Sequence, residues 1–264
     1  MSSIRKRVLV RGIGDIGSAV AHKLFTSGYH VVIHDSPRPE YPRRGMAFID
    51  AAFDGFACLD GVAARRITDP AAIDTVLQTR DAVLVYTGNY NLLLSALRPE
   101  ILIDARMRFR DQPESQKDRA HFVIGVGPGF VAGEHVDCAV ETAVGEAGRV
   151  VVSGATRSGE TEPWGIASSS RFIHAPKAGV FSTVFDVGDH VNAGELVANV
   201  DMVELRSQMS GVLSGLTYNG VSVKERARVI EVDPRDEPRL AHGLGERPRR
   251  VADGVLEAIT RLAG

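Results

Sequence analysis

Cysteine is scarce: Cys58 and Cys138 are the only two in 264 residues, far apart and outside any CxxC pair. Neither a disulfide framework nor a cysteine-based zinc cluster is therefore expected, and a reducing compartment fits. An excess of one charge is missing too. With a formal net charge of −2, nothing marks the chain as a binder of nucleic acid or of acidic membranes. The basic clusters Arg43-Arg44, Arg65-Arg66, Arg106 to Arg110 and Arg247 to Arg250 are local, and most read as solvated surface. No apolar run of about 18 residues occurs, and Met1 to Arg7 leads into a strand pattern without an apolar leader segment, so a soluble, cytoplasmic protein is expected. There is no GxSxG, and the eight histidines lie apart from any Ser or Cys nucleophile at a recognised spacing.

What is present is an ordinary globular composition, 44% hydrophobic and 24% charged, on a chain long enough for two domains. Val8 to Arg11 is a short β-branched run. Gly12-Ile13-Gly14-Asp15-Ile16-Gly17 follows it, and Ser18 to Phe25 then has helical apolar spacing. Strand, GxGxxG and helix in that order suit a phosphate: the first glycine permits a tight turn, the second lets a ligand approach the backbone, and the third lets helix and strand pack closely. The helix N-terminus would face the phosphate with free N–H groups. His30 to Asp35 supplies a second strand ending in a carboxylate 18 residues after Gly17, placed to accept from ribose hydroxyls and to favour NAD over NADP. Glycines that serve only turn and packing are the competing reading.

Alternating strands and helices continue through Ala82 to Tyr86, Asn91 to Leu97, Ile101 to Asp104 and Phe122 to Gly125, the pattern of a parallel sheet covered on both faces. Ligands in such sheets sit at the carboxyl ends of the strands. Three places there outline an anion site: Asp104-Ala105-Arg106, the loop Gly125-Val126-Gly127-Pro128-Gly129, and Arg43-Arg44. Guanidinium forks suit phosphate or carboxylate, and a glycine loop exposes backbone N–H groups. A sharp turn for the loop and a structural ion pair for Asp104 with Arg106 are the alternatives. Glu141 reads either as a site acid or as a solvent-facing strand residue. His135-Val136-Asp137-Cys138 alternates as a strand does, and no metal site is read there.

Ser153 to Ser170, with Trp164 as a packing anchor, reads as a linker or covering loop. Beyond it the sequence repeats at an offset of 32: Gly179-Val180 recurs as Gly211-Val212, Ser182 as Ser214, Gly188 as Gly220, Val191 as Val223 and Val200 as Val232. This stretch resembles biotinyl and lipoyl domains, which imply a flattened β-barrel of two halves with a modified lysine on the hairpin between them. Val200 to Ser207 holds no lysine, and arginine cannot act as the amine nucleophile, so covalent biotin or lipoate is not expected. Val251 to Ile259 reads as a terminal helix weakened by Gly254.

The expected fold is therefore α/β, a Rossmann-like mostly parallel sheet (residues 1–153), a linker (154–170), a biotinyl/lipoyl-like barrel-sandwich domain (171–235), and a C-terminal loop and helix (236–264). Across nearly its whole length the chain resembles the YqeB-type accessory family of selenium-dependent molybdenum hydroxylase systems. The stretches that carry this are VLVRGIGDIGSAVAHKL (8–24), PRRGMAFIDAAFDG (42–55), LIDARM (102–107), VIGVGPGFVAG (123–133), VETAVGEAGRV (140–150), HAPKAGVF (174–181), VIEVDPR (229–235) and DGVLEAI (253–259). Gly145-Glu146-Ala147, where the family tends to have a Gly-His pair, and Glu246 to Arg249 depart from the pattern.

That resemblance implies help in maturing a molybdenum hydroxylase client and handling of a molybdopterin-type cofactor or its nucleotide. Cofactor contacts are expected from Gly12, Gly14, Asp15, Ile16, Gly17, Asp35, Gly125, Gly127 and Gly129, and anion or substrate contacts from Arg43, Arg44, Asp104, Arg106 and Glu141. The rivals are an NAD-dependent oxidoreductase of a small anionic substrate, with Asp104, Glu141 or Tyr86 as candidate proton donor or acceptor, and a non-catalytic scaffold. Self-association is open.

Overall fold

A computed structural model describes residues 6–108, 113–157 and 170–263. Trp164 and residues 158–169 of the expected linker lie outside the described residues, as do Phe109 and Arg110 of the third basic cluster. The apolar runs read from the sequence form β1 (Arg7–Arg11), α1 (Asp15–Thr26), β2 (His30–His34), β5 (Val83–Tyr86), α4 (Tyr90–Leu97), β6 (Ile101–Asp104) and β7 (Phe122–Val126). Between them lie α2 (Ala51–Asp54), β3 (Phe56–Leu59), β4 (Val62–Ile67) and α3 (Ile73–Leu77). β8 (Val131–Ala132), β9 (Cys138–Val140), β10 (Val150–Val151) and β11 (Gly154–Ala155) follow.

Nine of these strands make one sheet in the order β10-β9-β7-β6-β1-β2-β5-β4-β3. The seven inner strands are parallel, and β3 and β10 close the edges antiparallel. Inner strands such as VLV in β1 and VVI in β2 are buried on both faces, which is why they read as continuous apolar runs without alternation. Strand order reverses at β1, with β2 on one side and β6 on the other, and in open α/β sheets ligands sit beyond the carboxyl ends of the strands at such a point.

α5 (Glu246–Leu262) lies against α1. Its face of Val251, Val255, Ala258 and Ile259 is buried. Each large aliphatic on that face contributes about 1.5–3 kcal/mol. Gly254, which costs helix propensity, is needed for close approach: a methyl there would overlap the carbonyl of Gly148.

The repeated region forms β12 (Phe172–His174), β13 (Gly179–Thr183), β14 (His190–Val191), β15 (Leu196–Val200), β16 (Val203–Arg206), β17 (Gly211–Leu216), β18 (Ser222–Val223) and β19 (Arg228–Asp233). These pair as two four-stranded antiparallel sheets, β12-β19-β17-β14 and β16-β15-β13-β18. β13, β14 and β15 recur as β17, β18 and β19. Each half lends its two-residue strand to the other: β14 pairs with β17, and β18 with β13.

The expected fold class needs correction. In place of a Rossmann-like sheet followed by a small barrel stands one nine-stranded mixed sheet beside two open antiparallel sheets. Among the described residues no ladder joins the sheet edges β12 and β14 to β16 and β18, so no barrel closes. The β3–β4 hairpin is a further addition to the sequence reading, although Asp60-Gly61, both at positive φ, is a two-residue turn of the kind that joins twisted strands.

Candidate functional site

The registers of the parallel strands place Tyr86, His34, Arg11, Asp104 and Gly125 on one rung across β5, β2, β1, β6 and β7. Two residues earlier the same rows hold Leu84, Val32, Leu9, Leu102 and Val123, which build the apolar core on this face. Side chains alternate along a strand, so the polar rung continues the core face to its carboxyl edge. An apolar layer thus ends in a row of a phenol, an imidazole, a guanidinium and a carboxylate.

Arg11 is buried, with its guanidinium 4.0 Å from the centroid of the Tyr90 ring at the start of α4. It donates to Glu114 (3.0 Å) and to the buried Gln116 (2.9 Å), while the Tyr90 hydroxyl also reaches Gln116 (3.3 Å). Asp104 is buried and accepts from Nε of Arg106 at 2.9 Å, and Arg106 reaches Glu114 at 2.7 Å. The hydrogen bond and charge of Arg106, reinforced by Arg11, hold the Glu114 carboxyl down at about 2. Nε2 of His34 lies 3.0 Å from the Gly88 carbonyl oxygen. Burial lowers its pKa, and the charges of Arg11 and Arg106 add to that.

The glycine loop borders this rung. Gly12, at φ +109, donates to the His34 carbonyl (2.9 Å), and a Cβ there would meet the Ala105 carbonyl oxygen at 2.6 Å and the Arg106 Cα at 3.0 Å. A methyl on Gly17 would overlap the Gly12 carbonyl oxygen, and Gly14 faces the Tyr41 ring. Turn and packing therefore require Gly12 and Gly17 before any ligand does. The first turn of α1 already holds a carboxylate: Asp15 is buried, accepts from the Ile16 amide (2.8 Å) and is paired with Arg43 (3.1 Å). Asp35 accepts from the Ile13 amide at 2.8 Å with one oxygen and from Ser36 at 2.6 Å with the other.

The remaining expected residues are placed as follows. Gly125 leaves room for Phe130, whose ring would overlap a methyl there; Gly127 and Gly129 take positive φ beside Met107 and Pro113. Asp104, Met107, Arg108, Pro113, Pro128 and Phe130 line a narrow cleft without enclosed room for a water-sized molecule. Arg43 grips Glu231 (2.7 and 3.0 Å), and Arg44 is held by Asp50 (2.7 Å). Glu141 is buried and accepts from the amides of Thr142, Ala143 and Arg157 at 2.8–2.9 Å, so it is not the solvent-facing strand residue of one sequence reading. Among the described residues no three His, Cys, Asp or Glu side chains gather as metal ligands.

Arg11, His34, Tyr90, Glu114 and Gln116 join the site from the structure and not from the sequence reading. One signal was available: Arg11 and His34 each close an apolar strand run, where a charged or polar residue has no packing reason to stand.

No family model matches the chain. Among solved structures, the ectoine utilization protein EutE (DoeB) from Ruegeria pomeroyi is 13% identical, at a TM-score of 0.27 over 86% of this chain and 85% of that one. A succinylglutamate desuccinylase from Silicibacter sp. TM1040 is 15% identical, at 0.27 over 86% and 84%. Similarity at that level carries neither fold nor reaction to this chain. The expected Rossmann label falls with the fold class, to the nine-stranded mixed sheet and the open sheets beside it, and the name of the relative below, an uncharacterized protein, does not bear out the label of a molybdenum hydroxylase accessory protein. Over 258 residues the chain is 31% identical to the uncharacterized protein YqeB of Escherichia coli strain K12, a match that takes in 97% of this chain and 47% of that protein. The chain thus spans about half the length of YqeB and is similar to it along nearly all of its own.

Proposed function

We propose that the carboxyl edge of the large sheet binds a small ligand bearing an anionic group, and that the chain works as a binding protein. One observation carries this: Arg11, His34 and Asp104 stand side by side on adjacent strands, at the point where strand order reverses, beside Gly12 and Asp35. Arg11 and Arg106 supply positive charge for the anion. Asp35 and the Gly12 turn border it and suit hydroxyls next to the anionic group. The acids nearby are otherwise engaged: Glu141 by three amides and Asp104 by Arg106. Binding, rather than proton transfer, is what this arrangement serves.

The sequence resemblance adds a process, help to a molybdenum hydroxylase client, and a molybdopterin-type phosphate belongs to the ligand class that this edge suits. Titration calorimetry on the full chain tests the reading, with NAD, a molybdopterin nucleotide and inorganic pyrophosphate as probes. Micromolar binding of at least one, lost on Arg11→Met, is the expected result. Absence of heat with all three at millimolar concentration would overturn it. Co-purification of a molybdenum hydroxylase with the tagged chain tests the process separately.

A further inference from the structure

Three guanidiniums converge on one oxygen. Arg106 lies 2.7 Å, Arg11 3.0 Å and Arg108 3.7 Å from Oε1 of Glu114. The order of exposure is the reverse of an ordinary surface pair: side chains are 10% exposed for Arg11, 17% for Arg106 and 35% for Arg108, but 51% for Glu114. The cations are fixed in the fold, and their counterion hangs at the solvent side.

Asp104 is taken by Arg106, so Glu114 is the carboxylate that Arg11 has within reach. Even so, Nε of Arg11 is buried with no hydrogen-bond partner. Buried N–H groups are nearly always satisfied in native proteins, and an orphan in a charged cluster marks a place where an acceptor belongs. A single glutamate oxygen accepts from two guanidiniums and answers the charge of a third, where a phosphate or a free carboxylate would bring two or three oxygens.

We infer that Arg11, Arg106 and Arg108 form the subsite for the ligand's anionic group, and that Glu114 is an internal stand-in that the ligand must displace. This rests on the proposal that the carboxyl edge is a ligand site. Displacement lowers the apparent affinity by the fraction of molecules in which the subsite is open, so neutralising Glu114 removes that handicap. Glu114 also rejects weak anions, because only a ligand with more than one oxygen on the cluster replaces it with gain.

The test is titration of the full-length chain at fixed ionic strength with inorganic pyrophosphate and, separately, citrate. Glu114→Gln is expected to bind one of them about tenfold more tightly than the unaltered chain. A gain for pyrophosphate alone identifies phosphate as the group recognised, and a gain for citrate alone identifies carboxylate. Arg11→Met combined with Glu114→Gln should lose the gain; if it does not melt cooperatively, Arg11→Lys in the same background takes its place, with weakened binding expected. Equal affinities for Glu114→Gln and the unaltered chain, together with loss in Arg11→Met, would overturn the stand-in role and leave the site standing. Undiminished binding in the Arg11 variants, or no binding by any form, would overturn both.

Discussion

Arg43 grips both carboxylate oxygens of Glu231 across 188 residues of sequence, at 2.7 and 3.0 Å, and a third bond from the same guanidinium runs to Asp15. Arg171 binds Glu231 from the other side at 3.1 Å. One buried acid thus ties β19 to the first turn of α1. Glu231→Ala leaves Arg171 without its carboxylate in a site where both side chains are at most 5% exposed. Loss of one partner from such a pair costs about 3–5 kcal/mol. Urea unfolding is the measurement, and a loss under about 1 kcal/mol would contradict the network.

Gly17→Ala should destabilise the chain more than Gly14→Ala does. A methyl on Gly17 overlaps the Gly12 carbonyl oxygen, which is backbone and has nowhere to go, whereas one on Gly14 meets only the Tyr41 ring at 3.2 Å. Overpacking of the first kind costs about 1–3 kcal/mol. Thermal unfolding of the two variants side by side decides it, and equal melting temperatures would show that the loop is less tightly packed.

Glu141→Ala should affect stability and spare ligand binding. Its carboxylate accepts from three backbone amides, and each buried donor left without a partner costs about 1–3 kcal/mol. A variant that keeps its cooperative transition but loses affinity would instead make Glu141 part of the site.

Glu114 titrates at about 2 rather than at the ordinary 4.5. Its folded pKa lies below its unfolded one, so its stabilising contribution is complete above about pH 4.5 and disappears as pH falls towards 2. Because the carboxyl is half exposed, solvent screens that contribution. Carboxyl-carbon NMR should give a midpoint near 2 that rises in Arg106→Met. A midpoint near 4.5 in the unaltered chain would remove the arginine cluster's hold.

Thiol labelling should find one fast group and one hidden one. Cys58 is exposed; Cys138 is buried in β9, and burial pushes its thiol up to about 12. One equivalent of reagent should be consumed in the native state at pH 8 and a second only in denaturant. Two fast equivalents would mean that β9 opens readily.

Much of the parallel sheet was legible because its strands are short apolar runs punctuated by Gly, Asp and Pro. β3 and β4 were missed because polarity does not alternate along them: Phe56 faces solvent while the small Ala57 and Ala64 take inward positions, although Asp60-Gly61 announced the turn. At the site, the glycines drew attention through spacing alone, while Arg11 and His34, each a polar close to an apolar run, took on meaning once the strand registers set them side by side. Arg43 and Arg44 looked like free cations because Glu231, the acid that occupies Arg43, lies 188 residues away, and no local pattern links the two. Proximity set by tertiary packing has no signature in the linear chain.

The exchange of β14 and β18 between the two repeated halves bears on how the protein is made. As the chain leaves the ribosome, His190 and Val191 must wait unpaired until Gly211 and Val212 have emerged, and β13 waits similarly for Ser222 and Val223. Neither half has a finished sheet to collapse into by itself, so the earliest stable state of this region includes both. An interruption of synthesis between the halves would release a chain with open strand edges, the species most prone to stick to its neighbours.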